Sequence, residues 1–195
     1  MRIIGIDYDG TIANTSEVKA DWIRAHVEME IPPWKTDRTS CVPIIGLQTY
    51  ERMGQFVYER EGSLRARDVP GSLDAIKELA RNFRIFIVTA RKSEQIRWCK
   101  EWLRERDLDS LIHAYFSTAG NSPHGSEPSK LQVCRDHDID VLIDDDERHL
   151  EGSEVPHVRR ILLKSGCSEM IRVPEGAELA RSWPEALRIL RAHLE

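Results

Sequence analysis

The chain has 195 residues, a formal net charge of −5, 31% charged and 41% hydrophobic residues. That length fits one domain, or one domain with a sizeable insertion, and the apolar content is enough for a packed core. No apolar run approaches the roughly 18–20 residues of a membrane helix, and the mild acidic excess gives no reason to expect nucleic acid as a partner.

In chain order, residues 2–7 predict a short buried strand that runs straight into carboxylates, where a secretory leader would continue apolar. Residues 14–69 contain no convincing strand. Trp22, Ile23, His26 and Val27 suggest one amphipathic helix, and Tyr50, Met53, Phe56 and Val57 another, with Pro32, Pro33 and Pro43 as punctuation. Next come a helix over 71–82, a strand over 84–89, a helix over 93–106 and a weaker strand over 112–116. A Gly/Ser/Pro-rich connection spans 117–128. A helix over 129–137, strands over 139–144 and 158–163, a break at 174–176 and a helix over 183–194 complete the chain.

Near-continuous apolar strands suit a parallel sheet covered on both faces. The alternation with helices predicts a doubly wound, mainly parallel α/β fold. The core is expected over 1–13 and 70–195, with 14–69 as a helical insertion after the first strand. Such sheets bind ligands at the carboxyl ends of their strands, where this insertion emerges. Cysteines at 41, 99, 134 and 167 form no zinc spacing, so reduced thiols and a cytoplasmic location are expected.

The strand ends carry the chemistry. Asp7-Tyr8-Asp9-Gly10-Thr11 follows the first strand, and residues two apart on extended backbone point to the same side. An ordinary surface turn accounts for this motif equally well when it stands alone. Asp144-Asp145-Asp146-Glu147 follows a later strand and could equally be an acidic helix start. Together, two carboxylate groups at one sheet edge call for a cation, and hard oxygen ligands select Mg²⁺. Thr89 ends another strand and Lys130 opens a helix. A hydroxyl and an ammonium suit a phosphoryl group, although each alone reads as a turn residue or a solvated lysine.

In this order and context, the four motifs resemble those of the haloacid dehalogenase-like superfamily of phosphohydrolases. The matching segments are Asp7–Thr11, Ile87-Val88-Thr89, Lys130, and Asp144-Asp145 after Val-Leu-Ile. The resemblance implies that Asp7 is the nucleophile, forming an aspartyl-phosphate. It implies that Asp9 protonates the leaving oxygen, later activates water, and binds Mg²⁺ through its backbone carbonyl. Thr89 and Lys130 would hold the phosphoryl oxygens, with Thr11 and Arg91 as further substrate-binding candidates. Arg91 itself departs from the second motif of the narrower family named below.

Metal ligands would be Asp7, Asp9 and Asp145, with Asp144 second because three consecutive aspartates leave the register open. An acid two residues after the nucleophile favours phosphoester over carbon–halogen chemistry in this superfamily. The insertion resembles its small helical cap. Leu142-Ile143-Asp144-Asp145 and Arg181-Ser182-Trp183-Pro184-Glu185 also resemble segments of the 5'(3')-deoxyribonucleotidase family.

The expected function is therefore a Mg²⁺-dependent phosphatase. Its substrate would be a small phosphorylated metabolite such as a (deoxy)nucleoside monophosphate, and no membrane is expected as a partner. A sugar phosphate, a phosphorylated nucleic-acid end, or phosphate binding without turnover are the alternatives. Trp22, Trp34, Tyr50, Phe56 and Tyr58 lie in the insertion, where packing is the simpler role and base stacking the functional one.

Overall fold

A computed structural model describes residues 1–119, 128–152, 155–167 and 169–194. Six strands form one sheet in the order β3-β2-β1-β4-β5-β6, and all five pairings are parallel. They are β1 (Ile3–Ile6), β2 (Arg84–Lys92), β3 (Ile112–Ala119), β4 (Val141–Asp144), β5 (Arg159–Leu163) and β6 (Ala177–Ala180). The chain builds β1, β2 and β3 outward in one direction, then returns to lay β4 on the other side of β1. The carboxyl ends of β1 and β4 therefore flank the point where the winding reverses.

The sheet is covered on both faces, which explains its apolar strands. Ile4, Ile6, Ile85, Ile87 and Ile143 pack into one core, which also takes residues of helices α5 (Ser72–Leu79), α6 (Ile96–Arg104) and α8 (Trp183–Leu194). Phe86, Val88, Leu142 and Leu162 pack on the other face with Leu131, Val133 and Cys134 of α7 (Lys130–Asp136). Between β1 and α5 lie four helices, α1 (Thr15–Val27), α2 (Arg38–Ile45), α3 (Leu47–Val57) and α4 (Arg60–Arg65). Among the described residues, no helix is long and apolar enough to cross a membrane.

Three elements depart from the sequence expectation. Strand β6 was not predicted: it is a four-residue edge strand interrupted by the charge of Glu178. Helix α2 carries Pro43 in its interior, yet the side chain of Asp37 caps its first turn by accepting from Thr39 N–H (2.9 Å) and Ser40 N–H (3.1 Å). Helix α4 is too short to show a period, and it packs so closely on α3 that a Cβ at Gly62 would collide with the backbone of Phe56 and Val57. Of the Gly/Ser/Pro-rich connection, residues 120–127 lie outside the described residues.

The loop after β1 is held from several sides. Trp183, fully buried at the start of α8, donates its indole N–H to the carbonyl of Thr11 at 2.9 Å. The Ser72 hydroxyl donates to the carbonyl of Ile12 at 3.1 Å, and Val69 N–H donates to that carbonyl at 2.8 Å. Trp183→Phe removes one buried donor and strands the Thr11 carbonyl, so it should cost about 1–3 kcal/mol in urea denaturation. A loss below about 0.5 kcal/mol would mean that this contact does not anchor the loop.

Candidate active site

Strand β1 ends at Ile6, but Asp7 N–H continues the ladder by donating to the Ile143 carbonyl at 2.9 Å. The backbone then folds sharply. The Tyr8 carbonyl accepts from Ile12 and Ala13 N–H, both at 3.0 Å, and Gly10 N–H donates to the Ala13 carbonyl at 2.8 Å. Gly10 has φ +82°, and a Cβ there would collide with the Asp145 carboxylate. Both the left-handed backbone and the close approach of β4's acidic turn require glycine at this position.

Lys130, the first residue of α7, is 2% exposed. Ser129 caps the helix by accepting from Gln132 N–H at 3.0 Å, which fixes where Lys130 begins. The Lys130 ammonium donates to Asp7 Oδ1 at 2.5 Å and to Asp144 Oδ2 at 2.7 Å. The other Asp144 oxygen accepts from Asp146 N–H at 2.9 Å and lies 3.2 Å from His149 Nδ1. Oxygens of Asp7, Asp144 and Asp145 all fall within 4.8 Å of one another.

One ammonium thus faces three carboxylates, and the charge balance is visible in their proton affinities. Burial pushes Asp7 up to about 7, against the pull of Lys130 and reinforced by Asp144 and Asp9. Burial, then Asp7 and Asp144, push Asp145 well above the ordinary carboxylate range. Burial also opposes ionisation of Asp144, but Lys130 and His149 outweigh it and hold that group below its usual value.

Asp9 sits in a different environment. Arg91 grips it side-on, with Nε donating to Oδ2 and Nη2 to Oδ1, each at 2.8 Å. Burial works against an ionised Asp9, yet the Arg91 charge and hydrogen bonds, with Lys19 and the Thr15 hydroxyl, hold it below its ordinary value. Lys19 on α1 is itself buried, with its ammonium 5.4 Å from the centre of the Tyr58 ring. No motif marks Lys19 in the sequence, because a lone helical lysine reads as solvated.

The remaining candidates converge on the same edge. Thr11 Oγ1 donates to Asp7 Oδ2 at a long 3.4 Å. Thr89, fully buried, lies three residues before the end of β2, which runs on past the expected 84–89 to Lys92; its hydroxyl accepts Arg91 N–H at 3.2 Å, and its carbonyl accepts from the Thr118 hydroxyl at 3.3 Å. Asp7, Asp9, Thr11, Thr89, Arg91, Lys130, Asp144 and Asp145 all lie around the carboxyl ends of β1, β2 and β4. Arg91 has its guanidinium committed to Asp9 and to Ser63, whose hydroxyl it reaches at 2.6 Å. A cavity of about 960 Å³ lies at the opposite, amino-terminal edge of β4–β6, lined in part by Asp140, Glu151, Arg160 and Glu178, and holds none of these residues.

No protein-family model and no curated protein matches the chain in sequence. Solved structures do match in fold. A haloacid dehalogenase-like family hydrolase from Streptococcus pneumoniae superposes with a TM-score of 0.69 at 16% identity, covering 97% of this chain and 98% of that one. A predicted phosphoglycolate phosphatase from Haemophilus somnus gives 0.66 at 15% identity over 97% and 98%. A hydrolase of this superfamily from Bacillus subtilis, bound to magnesium, gives 0.61 at 15% identity over 97% and 98%. The six-stranded parallel sheet, in the order and with the helical covering described above, is the Rossmann-like fold of the haloacid dehalogenase-like hydrolases.

Proposed function

We propose that the protein is a Mg²⁺-dependent phosphomonoester hydrolase that works through an aspartyl-phosphate on Asp7. Its substrate is a small phosphorylated metabolite such as a (deoxy)nucleoside monophosphate. The observation that carries this reading is the contrast between two carboxylates only two residues apart. Asp7 is clamped by Lys130 and crowded by Asp144 and Asp145, whereas Asp9 is forked by Arg91. The fork keeps Asp9 ionised, the form that accepts and relays a proton, while Asp7, whose proton affinity burial raises, would take its attacking form when a cation offsets that burial.

In the first half-reaction an Asp7 oxygen attacks phosphorus, the bond from phosphorus to the leaving oxygen breaks, and ionised Asp9 relays to that oxygen the proton that a phosphomonoester monoanion carries. In the second, Asp9 takes a proton from water, whose oxygen attacks phosphorus and displaces Asp7. Lys130, Thr89 and Thr11 hold the phosphoryl oxygens and offset charge as it moves. Residues 14–69 act as a cap over the core of 1–13 and 70–195, limiting water and the size of the leaving group.

The donor set fits a hard divalent cation. It is all oxygen, tightly spaced, and short of positive charge, as the raised proton affinities of Asp7 and Asp145 indicate. Asp7, Asp145 and the Asp9 carbonyl would hold the ion. Asp144, whose oxygens are already engaged by Lys130, Asp146 N–H and His149, would support it from behind. Mg²⁺, when bound, neutralises phosphoryl charge and polarises the ester.

Asp7→Asn should lower kcat/KM on aryl and nucleotide monoesters by about a thousandfold or more with the fold intact. Activity of the variant within about tenfold of wild type would remove Asp7 as nucleophile. Activity should also vanish in EDTA and return with added Mg²⁺, and full turnover in EDTA would exclude the metal. Stability supplies a third check. Between the ordinary Asp value of 3.8 and about 7, the folded protein keeps a proton on Asp7 that the unfolded chain has released. In EDTA, stability should therefore fall as pH rises through that window, and Asp7→Asn should flatten the fall in urea denaturation. An equal slope in the variant would contradict the assignment of that proton to Asp7.

A further inference from the structure

Arg91 joins three parts of the molecule that are remote in sequence. It stands two residues beyond Thr89, where the pairing of β2 with β3 shifts register between Thr89 and Lys92. Its side chain is 1% exposed. Nε and Nη2 hold both oxygens of Asp9, and Nη1 donates to the Ser63 hydroxyl on α4. Ser63 is oriented in turn, because its own hydroxyl donates to the Val57 carbonyl at 3.3 Å. The guanidinium carbon lies 4.9 Å from the centre of the Tyr8 ring and 5.2 Å from that of Tyr58. Gly62 permits the close approach of α3 and α4 that brings Ser63 to this spot.

A guanidinium enclosed in this way has no face left for substrate. What it fixes is the plane and direction of the Asp9 carboxylate, which a planar fork can do and a point charge cannot. Proton transfer to a leaving oxygen needs that direction, since the acid must stand within hydrogen-bond reach of the ester. We propose that Arg91 is a positioning residue that aims Asp9 at the leaving oxygen and ties that aim to the seating of α4. This rests on Asp9 passing the proton to the leaving oxygen in the reaction proposed above.

The test compares kcat/KM for two monoesters, a simple alkyl phosphate whose leaving oxygen needs a proton and 2,4-dinitrophenyl phosphate whose leaving group does not. Arg91→Gln and Arg91→Lys should each lose about a hundredfold on the alkyl ester and less than about threefold on the dinitrophenyl ester. Ser63→Ala, which removes only the tie to α4, should shift the ratio of the two in the same direction by a few-fold. A role confined to packing would lower both esters together, and equal losses in Arg91→Lys and Ser63→Ala overturn the proposal. If Arg91→Gln does not fold, Arg91→Lys and Ser63→Ala decide by the same ratio. Asp7→Asn is measured alongside. Activity surviving there discards the phosphatase reading itself, whereas an inactive Asp7→Asn with an unchanged ester ratio in the Arg91 variants discards only the role of Arg91.

Discussion

The contact on which the site depends is the Lys130 ammonium, shared between Asp7 and Asp144. It is buried, it opens α7, and it pins the ends of β1 and β4 across the point where the sheet reverses its winding. Two carboxylates brought this close would otherwise repel, and a buried ion pair that loses one partner commonly costs about 3–5 kcal/mol. Lys130 therefore makes the edge foldable. It does not make the edge neutral, because Asp145 joins the same cluster with Gly10 pressed against it. The remaining deficit of positive charge is what the proposed cation would offset.

The second ion pair gives Asp9 surroundings unlike those of Asp7. Tyr8 separates Asp7 from Asp9 by one residue, yet burial raises the proton affinity of the first while Arg91 lowers that of the second against the same burial. The turn that follows both is anchored, since Trp183 and Ser72 donate to the carbonyls of Thr11 and Ile12. A segment near the end of the chain is thus a structural brace for a motif at its beginning. Trp183, noted in the sequence for its resemblance to a nucleotidase segment, acts here by holding the loop that carries both carboxylates.

Much of this was legible in the sequence because the relevant signals are local. Ile3–Ile6, Val141–Asp144 and Arg159–Leu163 are apolar runs, and parallel strands covered on both faces must be apolar. Strand β6 escaped because an edge strand can carry Glu178, and α2 because Asp37 supports a helix that Pro43 would seem to forbid. In the site, the residue types at the strand ends were readable, but their pairings were not. Arg91 meets Asp9 across 82 positions and Lys130 meets Asp7 across 123, distances at which only the folded chain decides. Sequence likewise left the order of the three aspartates open. The hydrogen bonds of Asp144 and the contact of Asp145 with Gly10 separate their surroundings.

The central claim is that phosphate passes through Asp7 rather than moving directly to water. Rapid acid quench of a burst with excess phosphomonoester and Mg²⁺, followed by peptide mass mapping, tests it most directly. The expected result is a transient phosphoryl group on the peptide containing Asp7, located on that carboxylate and absent from Asp7→Asn. Steady turnover with no phosphoryl group on Asp7 at any time point, or with the group on another residue, would contradict it.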